Sequence, residues 1–344
     1  MGKRAMQQRK ELKQAALVQR QFAAALQVLQ AIPLSADQLA ELRAWLDGAG
    51  WPCIDLIEQA AGEVPACPRC GCPKAHLHGT ANDLRRFRCT RCRRTYNALT
   101  GTPLARLRKR DKWLPYLQCL LDSITVRKAA TRVGIAASTS FRWRHRFVSG
   151  VKQHRAEQLT GIVEADETYM LESQKGSRHM TRPPRRRGGR ASRRGITDEL
   201  DSLLVARDRS HQTLDFVIGR GEPGKKELAI CLGPVLAADV LLVSDGAKAY
   251  AAFAHEAHLM HEALNIRGGE RTRDTIHLQN VNSWHSRYKT WLKRFNGIAS
   301  RYLHNYSGWQ RTLDTAALTT PPLMLAVAVK ARRTLSFVAV RTLR

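Results

Sequence analysis

Four cysteines and two aspartates are the residues of this chain best suited by type and spacing to hold metal ions. Cys67 and Cys70 form CPRC, Cys89 and Cys92 form CTRC, and eighteen residues separate the pairs. Each Cys-x-x-Cys turn aims two thiolates at one tetrahedral ion, so the quartet predicts a structural Zn²⁺ site with no open position for catalysis. Cys72, beside the first pair, is a spare. Asp166 lies in GIVEADETYM after an apolar run, and Asp245 lies in VLLVSDGAKAY at the end of another. Carboxylates at neighbouring strand ends offer Mg²⁺ the hard oxygen ligands it prefers. Paired metal ions activate an attacking oxygen and stabilise the leaving one in an in-line phosphoryl displacement. Glu164 and Glu167 flank Asp166 and are read as turned to the opposite strand face, which makes them second choices.

The composition names the partner such a site would act on. Among 344 residues, 57 Lys and Arg stand against 29 Asp and Glu, a formal charge of +28. An excess of that size points to a polyanion, because each neutralised phosphate releases condensed counterions. Nucleic acid comes before an anionic membrane surface, since no basic amphipathic anchor, signal peptide or apolar run of membrane-spanning length is evident. A cytoplasmic, nucleoid-associated protein is expected, and cysteines that bind metal instead of forming disulfides agree with that.

Periodicity gives the helices and strands on which these residues sit. A long helix is expected over 4–31, and Ser35 with Gln38 reads as a capping box opening a second helix that stops near Gly48. Residues 65–100 show little helical period, whereas 111–149 read as helical with a turn at Gly134. From Gly161 the pattern changes to apolar runs at 161–163, 203–206, 214–218 and 240–243, which read as strands. From His277 to about Arg311 the pattern is helical again, and Trp284, Tyr288, Trp291 and Phe295 recur at spacings of three and four as a core stripe.

Two basic segments are candidates for contact with a duplex. Val126 to Phe147 reads as a helix-turn-helix: Ala129, Ala130 and Val133 give an apolar face, Gly134 the turn, and Ser138 caps a second helix. That helix would present Arg142, Arg144 and Arg146 to phosphates and base edges, while Trp143 and Phe147 pack inward. The run from Arg182 to Arg194, which contains Arg185, Arg186 and Arg187, reads as a flexible insertion that grips phosphates with little sequence preference.

The order zinc ribbon, helix-turn-helix, DET, basic insertion ending in RRG, VSDG with a following AY, then HLQNVNSWHSRYKTWLKRFNGIASRYLHNYSGW resembles bacterial insertion-sequence transposases of the zinc-ribbon DDE type. It is similar in particular to the subgroup with Asn at the third acidic position, the DDNK pattern. The resemblance covers roughly residues 60–315. It implies an α/β fold: an RNase H-like catalytic domain with a mixed sheet flanked by helices, preceded by a zinc ribbon and a small all-α helix-turn-helix domain. It maps the acids to Asp166 and Asp245, the third position to Asn282 and the downstream lysine to Lys289. Asn282 and Lys289 are seven residues apart and would share one helix face. The implied cofactors are structural Zn²⁺ and catalytic Mg²⁺ held by Asp166, Asp245 and Asn282, with Mn²⁺ as a substitute. The implied partners are double-stranded DNA, as terminal inverted repeats and target, and further copies of the chain in the DNA complex. The domains are then a helical region (1–62), the ribbon (63–102), the helix-turn-helix (103–152), the catalytic domain (158–312, with its insertion at 172–198) and a basic tail (313–344). Glu262 and Glu270 are alternative sources of the missing charge. A non-catalytic DNA-binding regulator and an inactive transposase remnant are the rival readings.

Overall fold

The computed structural model describes residues 23–24, 27–28, 31–39, 53–186 and 188–332. The chain divides into two units, 1–50 and 51–344. In the first unit the Gln38 amide donates to Ser35 Oγ at 3.2 Å, and the Ser35 amide donates to Gln38 Oε1 at 2.9 Å. These two bonds close the capping box read from the sequence. Most of the helix expected over 4–31, and the stop near Gly48, lie outside the described residues.

The second unit opens with α1 (Cys53–Ala61) and a three-stranded antiparallel sheet, β1 (Ala75–Ala81), β2 (Leu84–Cys89) and β3 (Thr95–Asn97). Glu58 of α1 accepts from the Arg85 backbone at 2.7 Å and from its side chain at 2.8 Å, and Ile57 is fully buried. The segment 53–61 therefore packs with the small sheet on its C-terminal side, which corrects the assignment of all of 1–62 to one N-terminal region.

Three helices come next: α2 (Trp113–Leu121), α3 (Val126–Val133) and α4 (Ala137–Val151). Gly134 ends α3 in the left-handed region at φ 65°, where a side chain would be strained. Trp113, Tyr116, Trp143 and Phe147 meet edge to face with centroids 5.3–6.5 Å apart. The helix α4 starts earlier than the sequence suggests. Its N-cap is Ala136, which has no side-chain acceptor, and Ser138 lies inside the first turn.

The main sheet contains β4 (Ile162–Leu171), β5 (Leu200–Asp208), β6 (Thr213–Arg220), β7 (Leu241–Ser244) and β8 (Met260–Ala263), in the order β6-β5-β4-β7-β8. The three strands β4 to β6 form an antiparallel meander, and β7 and β8 run parallel to β4. All four apolar runs seen in the sequence fall in β4 to β7. Alternate residues of β5 enter two cores. Leu204 and Ala206 face α5 (Lys225–Leu232) and α6 (Lys248–Glu256), whereas Leu203 and Val205 join the larger core that includes α7 (Gln279–Lys293) and α8 (Leu303–Asp314). Burial on both faces explains why this strand is continuously apolar.

The aromatic stripe of α7 is core, with Trp284 and Tyr288 fully buried and stacked 5.0 Å apart. Helix α9 (Pro321–Lys330) is also core: Met324, Leu325 and Ala328 are fully buried, and it packs against α1, α2 and α4. This corrects the expectation of a basic tail over 313–344, because a helix apolar on all sides has to be buried. Residues 333–344 lie outside the described residues. One buried cluster runs from Ile57 through Trp113 and Phe147 to Trp284, Trp309 and Leu325, so 103–152 and the sheet domain share a core.

Candidate functional site

The four cysteines converge. One Sγ from each of Cys67, Cys70, Cys89 and Cys92 lies within 4.8 Å of the others, with Cys67–Cys92 at 3.6 Å and Cys70–Cys89 at 3.5 Å. These spacings are far beyond a disulfide. They approach the edge of roughly 3.8 Å that a tetrahedron with Zn–S bonds of about 2.3 Å requires. Two equivalent backbone turns set them up. The Gly71 amide donates to Cys67 O, the Arg93 amide donates to Cys89 O, and Gly71 and Arg93 both have positive φ. Cys70 and Cys89 share one hydrogen bond and shift in opposite directions, the Cys70 thiol down, most by a hydrogen bond from the Cys72 backbone, and the Cys89 thiol up. Cys72 itself contacts Thr90 and the Lys74 carbonyl and is outside the quartet. Phe87 and Tyr96 add the bulk to this small core.

The acids also converge. Glu164 of β4 is registered with Val243 of β7, and extending that register by two residues puts Asp166 beside Asp245. The Asp245–Gly246 turn follows β7, with the Ala247 amide donating to Asp245 Oδ1 at 3.1 Å. Burial, then repulsion from Asp245, pushes the Asp166 carboxyl up to about 7, against the pull of the Glu167 amide and of Lys289. Glu167 is pushed up to about 8, chiefly by burial. The Tyr250 hydroxyl, donating to it at 2.5 Å, opposes this, and Asp166, Asp245 and Glu222 reinforce it. Such mutual repulsion between oxygen donors is what a divalent cation relieves, so the donor set fits one.

Helix α7 covers Asp166. His285 Nδ1 lies 3.7 Å from Asp166 Oδ2, and burial lowers the imidazole to about 3, so it is neutral. Asn282 and Lys289 are exposed, one turn before and one turn after His285 on the same face. Asp166 thus senses the charges of both Asp245 and Lys289, while Asn282 lies on the exposed side of the same helix.

Of the two acids flanking Asp166, Glu164 departs from the sequence reading. Glu164 is two residues from Asp166 and so shares its face, because strand side chains alternate with a period of two. It is fully buried against the start of α7. Counting by twos along the strand would have found it. Glu167 does point to the other face, yet it is close enough for Asp166 and Asp245 to shift it. Glu262 and Glu270 are tied to Arg273 instead.

The arginines divide. Arg142 is exposed, but Arg144 is 1% exposed, donates to the Ile124 carbonyl and lies over the rings of Phe295 and Trp309 at 5.5 and 5.2 Å. Arg146 donates to the carbonyls of Pro103 and Ala105. The expectation that all three are presented on an exposed face of α4 is thus corrected: only Arg142 is, while Arg144 packs over Phe295 and Trp309 and Arg146 is tied to the 103–105 segment. In the insertion, Arg185 and Arg182 pair with Glu172, and Arg185 also pairs with Glu199 at 2.9 Å. Arg186 is exposed, and Arg187 lies outside the described residues. A basic groove at the start of α4 is lined by Lys109, Arg127, Thr131 and Ala137.

Residues 158–309 match the ISXO2-like transposase domain, so this part of the chain is similar to insertion-sequence transposases. The chain is also similar to an uncharacterised protein in the transposable element ISH50 of Halobacterium salinarum, 24% identical over 244 residues, covering 70% of this chain and 82% of the relative. Among solved structures, a pre-cleavage Mos1 transpososome is similar at 14% identity, with 67% of this chain and 82% of that chain covered and a TM-score of 0.17. A Mos1 strand transfer complex is similar at 15% identity, covering 61% and 77%, with a TM-score of 0.18. Overlaps this low do not bear on the fold.

Proposed function

We propose that the chain is a DDNK-type transposase that binds the ends of its element and carries out divalent-metal-dependent DNA cleavage and strand transfer on an RNase H-like domain. The observation that carries this reading is the parallel register of β4 and β7, which, extended by two residues, sets Asp166 beside Asp245, with Lys289 near enough to act on Asp166. The sheet, an antiparallel meander followed by two strands parallel to the first, supports the fold assignment.

In this mechanism Asp166 and Asp245 would hold Mg²⁺ or Mn²⁺, and Asn282 would offer a neutral carbonyl oxygen. The metal, when bound, supplies Lewis-acid stabilisation of the attacking and leaving oxygens. Lys289 meets the scissile phosphate and offsets its charge, and neutral His285 fills the space behind Asp166 without adding a competing cation. The chain's main contribution is alignment and electrostatic preorganisation. The ribbon and the α3–α4 pair, a helix-turn-helix in this reading, recognise the terminal repeats through Arg142 and the basic groove at the start of α4. Arg186 and its exposed neighbours in the insertion track backbone phosphates. Arg144, Arg146 and Arg185 hold these surfaces in place.

The test is a cleavage and strand-transfer assay with cognate end DNA and Mg²⁺ or Mn²⁺. Asp166→Asn and Asp245→Asn should each lower the product by at least about 1000-fold, the loss of several kcal/mol of transition-state stabilisation. End binding should persist. Unchanged product in either variant rejects the assignment and favours a DNA-binding regulator.

A further inference from the structure

The start of α7 is capped from outside the helix. Its N-cap residue, Leu278, has no side-chain acceptor. The first-turn amides of Asn280 and Val281 instead donate to Glu164 Oε2 at 2.8 and 3.0 Å, and Asn280 Nδ2 donates to Oε1 at 2.8 Å. Arg209 reaches Oε1 at 2.7 Å, and His277 Nδ1 lies 3.3 Å from the same oxygen. Both carboxylate oxygens are thus occupied by donors, in a side chain that is fully buried. A carboxylate at this position also meets the positive end of the helix dipole.

The far end of the helix is tied to the same strand. Lys175 Nζ, just beyond β4, donates to the carbonyls of Asn296 and Gly297 at 3.0 and 2.9 Å. Ser173 and Ser300 exchange bonds of 2.8 and 2.9 Å. Helix α7 therefore lies along β4 and its extension in the same direction, with an acid at its start and a base past its end. Between these ties, Asp166 is on the strand, and Asn282, His285 and Lys289 are on the helix.

We propose that Glu164 is a positioning residue: it sets the lengthwise register of α7 against β4, and so the placement of Asn282 and Lys289 relative to Asp166. This rests on the transposase reading for its catalytic consequence but not for the cap itself. Without the carboxylate, two first-turn amides lose their acceptor, Arg209 keeps only Thr275 O and the His277 ring, and the helix start is freed to shift. A misplacement of about 1 Å in a reacting group lowers rate by roughly 100-fold. Glu164 touches no substrate in this arrangement, so end binding does not depend on it.

The experiment uses the full chain with its cysteine-bound metal and compares wild type, Glu164→Gln and Glu164→Asp. Hydrogen exchange in the DNA-free protein should show the 278–284 segment opening about 10-fold faster in Glu164→Gln, with β5 unchanged. Single-turnover cleavage of saturating end DNA should fall about 100-fold, with end affinity within about 2-fold of wild type. Extra Mg²⁺ or Mn²⁺ should not rescue it, and Glu164→Asp, which keeps the charge, should recover about 10-fold of the loss. Unchanged exchange at 278–284 overturns the cap. Unchanged cleavage overturns the positioning role, and rescue by metal overturns it in favour of a ligand role. Loss of β5 protection in parallel with 278–284 overturns it in favour of general stability, and Glu164→Asp then gives the same readouts in a milder variant. If wild type itself does not cleave, the transposase reading fails while the exchange result still decides the cap.

Discussion

The cysteine quartet and the acidic pocket both gather metal-ligating side chains, but they are built in opposite ways. The quartet has two backbone turns, a short three-stranded sheet and two aromatic rings for a core. The pocket stands on a five-stranded sheet covered on both faces. In the first, an ion replaces a hydrophobic core, so the ligands and the fold depend on each other. In the second, the fold is complete without an ion, and what an ion relieves is the repulsion between Asp166 and Asp245. A metal would therefore be structural at the quartet and, on the proposed function, chemical at the acids.

Chelation provides the largest test of this contrast. Removing the metal, or making Cys67→Ser with Cys89→Ser, should withdraw on the order of 10 kcal/mol of binding free energy from 63–100. Hydrogen exchange should show that segment unfolded and β4 to β7 still protected. Equal protection of 63–100 with and without metal would erase the distinction.

A second test is the pH dependence of stability without divalent metal. The folded Asp166 carboxyl titrates at about 7 against an ordinary value of 3.8, and Glu167 at about 8 against 4.5. Between those limits the unfolded chain has released protons that the folded chain retains. Stability from these groups is complete below about pH 3.8, falls as pH rises toward 7 to 8, and is constant above. His285, lowered from 6.5 to about 3, contributes the opposite slope between those values, so the comparison must be with a variant. Relative to wild type, Asp166→Asn should raise the melting temperature at pH 8 and have little effect at pH 4. Added Mg²⁺ should raise wild type alone.

The smallest expected effects separate two neighbouring arginines. Arg144→Ala removes a buried guanidinium from two aromatic rings and a carbonyl, and should cost about 2–3 kcal/mol in denaturant unfolding. Arg142→Ala should leave stability unchanged within about 0.5 kcal/mol. It should weaken end binding and lower the salt slope by about 1. Equal effects from the two would mean that α4 does not divide into a packed and an exposed side.

The sequence conveyed those parts of the fold in which local pattern and tertiary role coincide. Strands β4 to β7 were visible as apolar runs, the α7 stripe as a three–four aromatic spacing, and the knuckles as paired Cys-x-x-Cys. It concealed the places where a residue's role depends on a distant partner. Arg144 reads as surface until Phe295 and Trp309 lie under it. The run at 321–330 reads as a tail until α1, α2 and α4 enclose it. Glu164 was hidden differently, by a miscount of strand parity, and only its donors on α7 reveal what it does.

The shared core has a consequence for where such a protein would cut. Helix α4 is packed closely on α8 and α9, with Gly150 against Ala328 and Gly308 against Lys152, which favours a fixed placement of the Arg142 surface relative to Asp166. If α4 reads DNA and the acids cut it, as proposed, the distance between the two would be set by this packing, and inserting residues near 152–158 would disrupt the packing before it lengthened that distance.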